Sequence, residues 1–278
     1  MPHTINPPAS RLGCMPLCFL CVLVLIGAFA HAQTGQKQSP NPAPAVNDKQ
    51  SADSIAKARE DTPESIYYVE EIAKQGQVEA VPMLEDKFGR TKDALGKAHI
   101  ASALVRLGDK KDIYWDFLAR QATVAIESGI PDIFAYDSQG KLIPGPSPEF
   151  TSWSQAHNLS PAAAQEQVIS FLGAVMSLAV TKDWRAVPLL RQALSARNYM
   201  IQSAAAEGLA AIQDKESIPL IVDAVKKAPA EAGAVIARSL VYFDDPEAQA
   251  AVDKYVPKDS AKALREDRAA RRTKTPWD

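Results

Sequence analysis

Beyond residue 21 the chain contains no cysteine. Its three, Cys14, Cys18 and Cys21, all lie in the N-terminal segment, so a protein without that segment has no disulfide and no thiol chemistry. Histidine is scarce too, since only His99 and His157 lie beyond residue 32. They do not have metal-ligand spacing, and no cysteine pair or H-E-x-x-H supports them, so no metal site is expected. A glycine-rich phosphate loop and a Gly-x-Ser-x-Gly elbow are both missing. Glu70-Glu71 and Asp244-Asp245 are adjacent carboxylates, but neighbours on a helix point different ways. No catalytic residue and no cofactor is therefore expected. An excess of either charge is lacking as well: 31 Lys and Arg face 33 Asp and Glu, which gives no sign of a nucleic-acid-binding surface.

Long apolar runs are absent except for one at residues 17–30, too short for the roughly 20 residues of a spanning helix. Arg11 precedes it, and Ala30-His31-Ala32 follows. A basic start, a short apolar middle and an A-x-A end predict a secretory signal peptide over residues 1–32, or else an uncleaved anchor. Cys18-Phe19-Leu20 before Cys21 is a poor lipobox. The expectation is a secreted, bacterial periplasmic protein with no stable membrane insertion after cleavage. Residues 33–60, rich in Gln, Asn, Pro, Ala and Ser, read as a disordered linker.

What the chain does have is helical period. Candidate helices cover residues 64–75, 77–88, 93–107 and 109–127, then 161–180, 183–194, 199–212, 214–227, 229–242 and 245–255. Asp183, Asp214 and Asp245 recur at 31 residues (214 − 183 = 245 − 214 = 31), each five after a leucine: Leu178, Leu209, Leu240. Asp109 has the same partner in Leu104. Val187-Pro188-Leu189-Leu190 aligns with Ile218-Pro219-Leu220-Ile221 and with Val81-Pro82-Met83-Leu84. A fixed period of this size marks a repeat in which neither helix of a unit buries its apolar face alone, so the units stack. The aspartate is expected to cap each first helix. The proline is expected to bend that helix, and the small residues from Ala204 to Ala211 to let neighbouring second helices approach.

These residues resemble the HEAT-repeat family. The likeness lies in the Val-Pro-Leu-Leu first helix, the alanine-rich second helix ending Leu-x-x-Ile, the aspartate opening the next unit, and the Leu107-Gly108-Asp109 turn. It implies an all-α fold, an α-solenoid of five to six HEAT-like helical hairpins over residues 61–256. One irregular insertion at about 129–158 interrupts it, and a polar basic tail, 257–278, follows. Where the family often has an arginine early in the second helix, Gln202 and Lys97 stand instead.

Alternation in residues 133–143 predicts a small hairpin, after which Pro144, Pro146 and Pro148 are expected to prevent regular structure. Phe134, Tyr136, Phe150 and Trp153 either meet a partner or, the preferred reading, fold back over the join between two solenoid halves. The tail holds seven Lys and Arg between residues 258 and 274 and reads as a solvated, fraying helix.

The resemblance implies a non-catalytic protein–protein binding scaffold, whose concave second-helix surface makes Lys97, Gln202 and Glu207 candidate partner-binding residues beside the four aromatics. The partner is expected to be another protein, not nucleic acid. The alternatives are a lyase-like or chaperone-like accessory to an enzyme system, or a cell-envelope structural protein. Some HEAT-like proteins are similar to phycobilin lyases, but no pigment-specific motif is present.

Overall fold

The computed structural model describes residues 48–271 and residue 277, with side chains for 51–270 and 277. The expected signal peptide, the linker up to residue 47, and residues 272–276 and 278 of the tail lie outside the described residues. Contacts divide the chain into two units, 1–40 and 41–278, and every described residue belongs to the second.

Thirteen α-helices are present among the described residues. They are α1 (Asp48–Arg59), α2 (Ser65–Gln75), α3 (Val81–Arg90), α4 (Ala94–Arg106), α5 (Asp112–Glu127), α6 (Pro148–Ala156) and α7 (Pro161–Ala179). After these come α8 (Val187–Ala193), α9 (Tyr199–Ile212), α10 (Ile218–Lys227), α11 (Ala230–Ala237), α12 (Pro246–Tyr255) and α13 (Lys258–Arg271). Twelve of them form six hairpins: α1/α2, α3/α4, α5/α7, α8/α9, α10/α11 and α12/α13. The second helices α2, α4, α7, α9 and α11 pack in that order, each on the next. This is an all-α HEAT-like solenoid with its core between the two helical layers. By length and composition α7 is apolar enough to cross a membrane, but it packs against α4, α5 and α9.

The repeated leucines Leu104, Leu178, Leu209 and Leu240 are fully buried. Each helix turn that follows is closed through the backbone, as where Asp109 N–H donates to Leu104 O and Asp214 N–H to Leu209 O, both at 3.0 Å. The proline acts differently from the expected bend. A short 3-10 turn comes first, at Val78–Ala80, Trp184–Ala186 and Lys215–Ser217, and the α-helix starts afterwards with proline in its first turn. There the missing N–H has no intrahelical acceptor to lose, so the proline sets a joint and breaks nothing. The aspartates also diverge. Asp183 and Asp245 cap as expected, accepting from Arg185 N and from Glu247 N and Ala248 N. Asp214 makes no cap. Buried, it takes a fork from the Arg191 guanidinium at 2.8 and 2.9 Å and the Ser217 hydroxyl, tying the first helix of one unit to the turn of the next.

Three expected irregular segments are ordered. Within the supposed linker, α1 packs on α2 and buries Ala58, so it is the first helix of the array. The proline-rich stretch pairs as strand β2 (Leu142–Pro146) with β1 (Phe134–Tyr136), antiparallel, and Pro148 opens α6 behind the capping hydroxyl of Ser147. Proline is admissible on a strand that has only one neighbour, and at the first helical position. In the tail, α13 buries Ala261 and Leu264 and anchors Arg265 on Gln249 and Asp253, and Arg268 on Asp244. It is therefore the docked second helix of the last hairpin, not a fraying end.

Candidate functional site

The buried leucines fix which way each second helix faces. Two residues before Leu209 stands Glu207. Between Ile201 and Ile212 on α9, every residue except Glu207 is buried. Its repeat equivalents are Met176 on α7 (207 − 31) and Arg238 (207 + 31), and all three are half-buried. They stand at one repeat position on α7, on α9 and in the 3-10 turn that follows α11. Burial pushes the Glu207 carboxyl up to about 7, against the attraction of Arg238 and the Trp277 indole, which favour its charge.

A second polar group lies on the N-terminal second helices. His99 and Arg106 are two turns apart on α4 and so share a face. Both reach Glu70 on α2, with His99 Nδ1 3.0 Å from Oε1 and Arg106 Nη1 donating to Oε2 at 2.6 Å. Burial raises the Glu70 carboxyl, but the hydrogen bond from His99 and the pull of Arg106 outweigh it and hold it below the ordinary range. With Nδ1 engaged, the Nε2 of His99 is the nitrogen left for anything beyond Glu70. Among the described residues, no group of three or more His, Cys, Asp or Glu is placed to hold a metal ion.

The insertion is bolted onto the C-terminal half. Asp132 is buried, and its two carboxylate oxygens accept from Phe134 N at 2.8 Å and from Tyr199 N, at the start of α9, at 2.9 Å. Burial pushes its carboxyl up to about 6 against those two bonds. Asn198, the cap of α9, donates to Pro131 O. The hairpin then crosses to α11. Glu231 N–H donates to Gly140 O at 3.0 Å, and Leu142 N–H donates to the Glu231 carboxylate at 2.9 Å. Gly140, at φ +75, has the Ala230 backbone N only 2.2 Å from where a Cβ would stand, so only glycine fits this seat.

The seven expected binding residues are therefore not brought together. Tyr136 packs edge-on to Tyr199 with ring centroids 6.0 Å apart, Phe150 is buried, and Trp153 stacks between Phe150 and His157. Phe134 is half-buried in the hairpin. These rings serve the docking of the insertion. Lys97 points away from His99 and lies over the rings of Phe88 and Phe117 in the first-helix layer, at 4.5 and 5.7 Å, so it is not on the second-helix face. Gln202 is buried, its amide donating to Ala196 O at 2.6 Å, and it corrects the expectation of an exposed residue. Glu207 is half-buried on α9, at the position where Met176 and Arg238 stand in the neighbouring units. Sequence reasoning set Glu70 aside with Glu71 as adjacent carboxylates, and passed over Arg106, Met176 and Arg238. The 31-residue period contained the signal for two of them, since it leads from Glu207 to Met176 and Arg238.

Residues 172–240 match the family model of HEAT repeats, a span running from the second half of α7 to the 3-10 turn after α11. No curated protein matches the chain.

Proposed function

We propose that this HEAT-repeat protein is a non-catalytic protein–protein binding scaffold, exported by its N-terminal segment and acting in the bacterial periplasm. The observation that carries the reading is the set of half-buried side chains Met176, Glu207 and Arg238, at one repeat position in three successive units. Repetition of one position across stacked units creates an extended surface suited to another chain. On the N-terminal second helices, the Glu70–His99–Arg106 group offers further polar contacts. Export is supported by the apolar run at residues 17–30 and the Ala30-His31-Ala32 sequence.

Cross-linked capture from an envelope fraction tests both parts. The full chain is compared with Met176→Glu and with Trp184→Ala, whose side chain is 64% exposed in the first-helix layer. The expected result is a captured protein lost about tenfold by Met176→Glu, the effect of ~1.4 kcal/mol, and unchanged by Trp184→Ala. Capture indifferent to Met176→Glu, with the variant folded, removes this face as the binding surface. Recovery of the chain from the cytoplasm alone refutes export.

A further inference from the structure

We propose that the insertion is a brace: clamped to the starts of both α9 and α11, it fixes the angle between the fourth and fifth hairpins and so sets the curvature of the array there. The inference rests on the geometry of the stack and not on the identity of any partner.

A stack of hairpins bends because each unit rotates slightly on the next, and small rotations add up along the array. Contacts between neighbours permit this, since each interface adjusts by itself. A connection between units that are not neighbours opposes it. The insertion makes such a connection. It leaves the third hairpin between α5 and α7, and it reaches α9 of the fourth and α11 of the fifth.

Each end is a clamp of two hydrogen bonds. At α9, Tyr199 N–H donates to the Asp132 carboxylate at 2.9 Å, and Asn198 Nδ2 donates to Pro131 O at 3.1 Å. At α11, Glu231 N–H donates to Gly140 O at 3.0 Å, and the Glu231 carboxylate accepts from Leu142 N at 2.9 Å. Two bonds at each end resist rotation as well as separation. Every one of the four uses a backbone group, so little slack is left in side-chain rotamers. Gly140 also sits too close to Ala230 for any side chain, which makes the second clamp a contact of backbone on backbone.

Between the clamps the chain is stiff. Tyr136 pairs with Leu142 across the two strands. The turn that joins them is closed by Asp137 N–H to Lys141 O and by Gly140 N–H to Asp137 O, both at 2.9 Å. At the other end of the ribbon, the Ser147 hydroxyl donates to Asp132 O at 2.6 Å. A ribbon held at base, ladder and turn carries force from one clamp to the other. Glu207 and Arg238 belong to the two units so joined. Their spacing is therefore set in advance, and a partner need not order them.

The test is a distance distribution by double electron–electron resonance on the full-length chain, with Cys14, Cys18 and Cys21 changed to serine. Spin labels at Val124→Cys and Leu220→Cys report on the third and fifth hairpins. Labels at Tyr67→Cys and Val124→Cys report on the first and third. All three positions are exposed. Gly140→Ala opens the α11 clamp, and Asp132→Asn weakens the α9 clamp. Each is expected to widen the 124–220 distribution about twofold, as neighbour-only stacking returns, and to leave the 67–124 distribution unchanged. If circular dichroism shows either variant unfolded, Glu231→Ala, which removes only the acceptor of Leu142 N–H, takes its place. A 124–220 distribution of unchanged width in the folded variants overturns the proposal. So does equal widening of both pairs, which marks a general loosening and not a brace.

Discussion

At the scale of single residues, equivalent positions in the repeat have taken different work. Asp183 and Asp245 cap helices, whereas Asp214 is spent on Arg191. Met176, Glu207 and Arg238 occupy one position with an apolar, an acidic and a basic side chain. Glu207 has a measurable consequence. Its pKa in the folded protein is about 7, against 4.5 as the ordinary value. A folded pKa above the unfolded one means that the folded state binds the proton more tightly. The associated stability is fully present below pH 4.5 and is lost as pH rises through about 7. Glu207→Gln has no such proton to lose. The variant is therefore expected to gain on the parent between pH 5 and pH 8, by about 1–3 kcal/mol at the upper end. Thermal melts across that range check it, and parallel curves for the two proteins refute it.

At the scale of elements, close approach of second helices is built on small residues, and Gly208 shows how close. A Cβ there would lie 2.8 Å from Ala179 Cβ and from Leu190 Cδ1. Gly208→Ala sets two effects against each other. Alanine favours the helix by about 1 kcal/mol. Overpacking costs about 1–3 kcal/mol, and here it wins, because Ala179 is part of a neighbouring helix with no rotamer to move. The expected outcome is a net loss of up to about 2 kcal/mol in chemical denaturation, and a stabilised variant would show that α7 and α9 can separate freely. Element identity was legible in the sequence because the period of 31 repeats the same caps and apolar faces. α9 was read to the residue, since Asn198 caps it and Gln213 ends it in the left-handed conformation. Polar composition misled at α1 and α13. Each buries only a narrow stripe, Ser54 and Ala58 in α1 and Ala261 and Leu264 in α13, so few apolar residues suffice. The prolines misled in β2, where an edge strand has no partner on one side to miss the N–H.

At the scale of the whole array, the period gave the units but not what holds the insertion, and the candidate surface was legible only in part. Lys97 and Gln202 were placed by analogy with a repeat position, and which side of a helix is open depends on what packs there. Trp277 lay beyond the pattern altogether. The insertion is a further case. Its length and aromatics read as a loop, yet it buries Ile130, Ile133 and Phe150 and satisfies the start of α9 through Asp132. Deleting residues 129–158 is expected to cost about 3 kcal/mol or more, since it removes buried apolar groups and strips N–H partners from α9 and α11. A urea midpoint unchanged by the deletion would show the segment to be an ornament.

Asp132 meets Tyr199 across 67 positions of chain, and Leu142 meets Glu231 across 89. Stacked hairpins otherwise touch only their neighbours, a topology that closes short loops and assembles quickly. These two bonds demand long closures. During synthesis the insertion emerges well before α9 and α11 exist, so the third hairpin must wait with its connection undocked while two more are made. Once the hairpin is seated, fraying from the C-terminal end has a barrier that nearest-neighbour stacking alone would not raise. The order of assembly, and the order in which amide protons exchange, are thus set by a loop that belongs to no repeat.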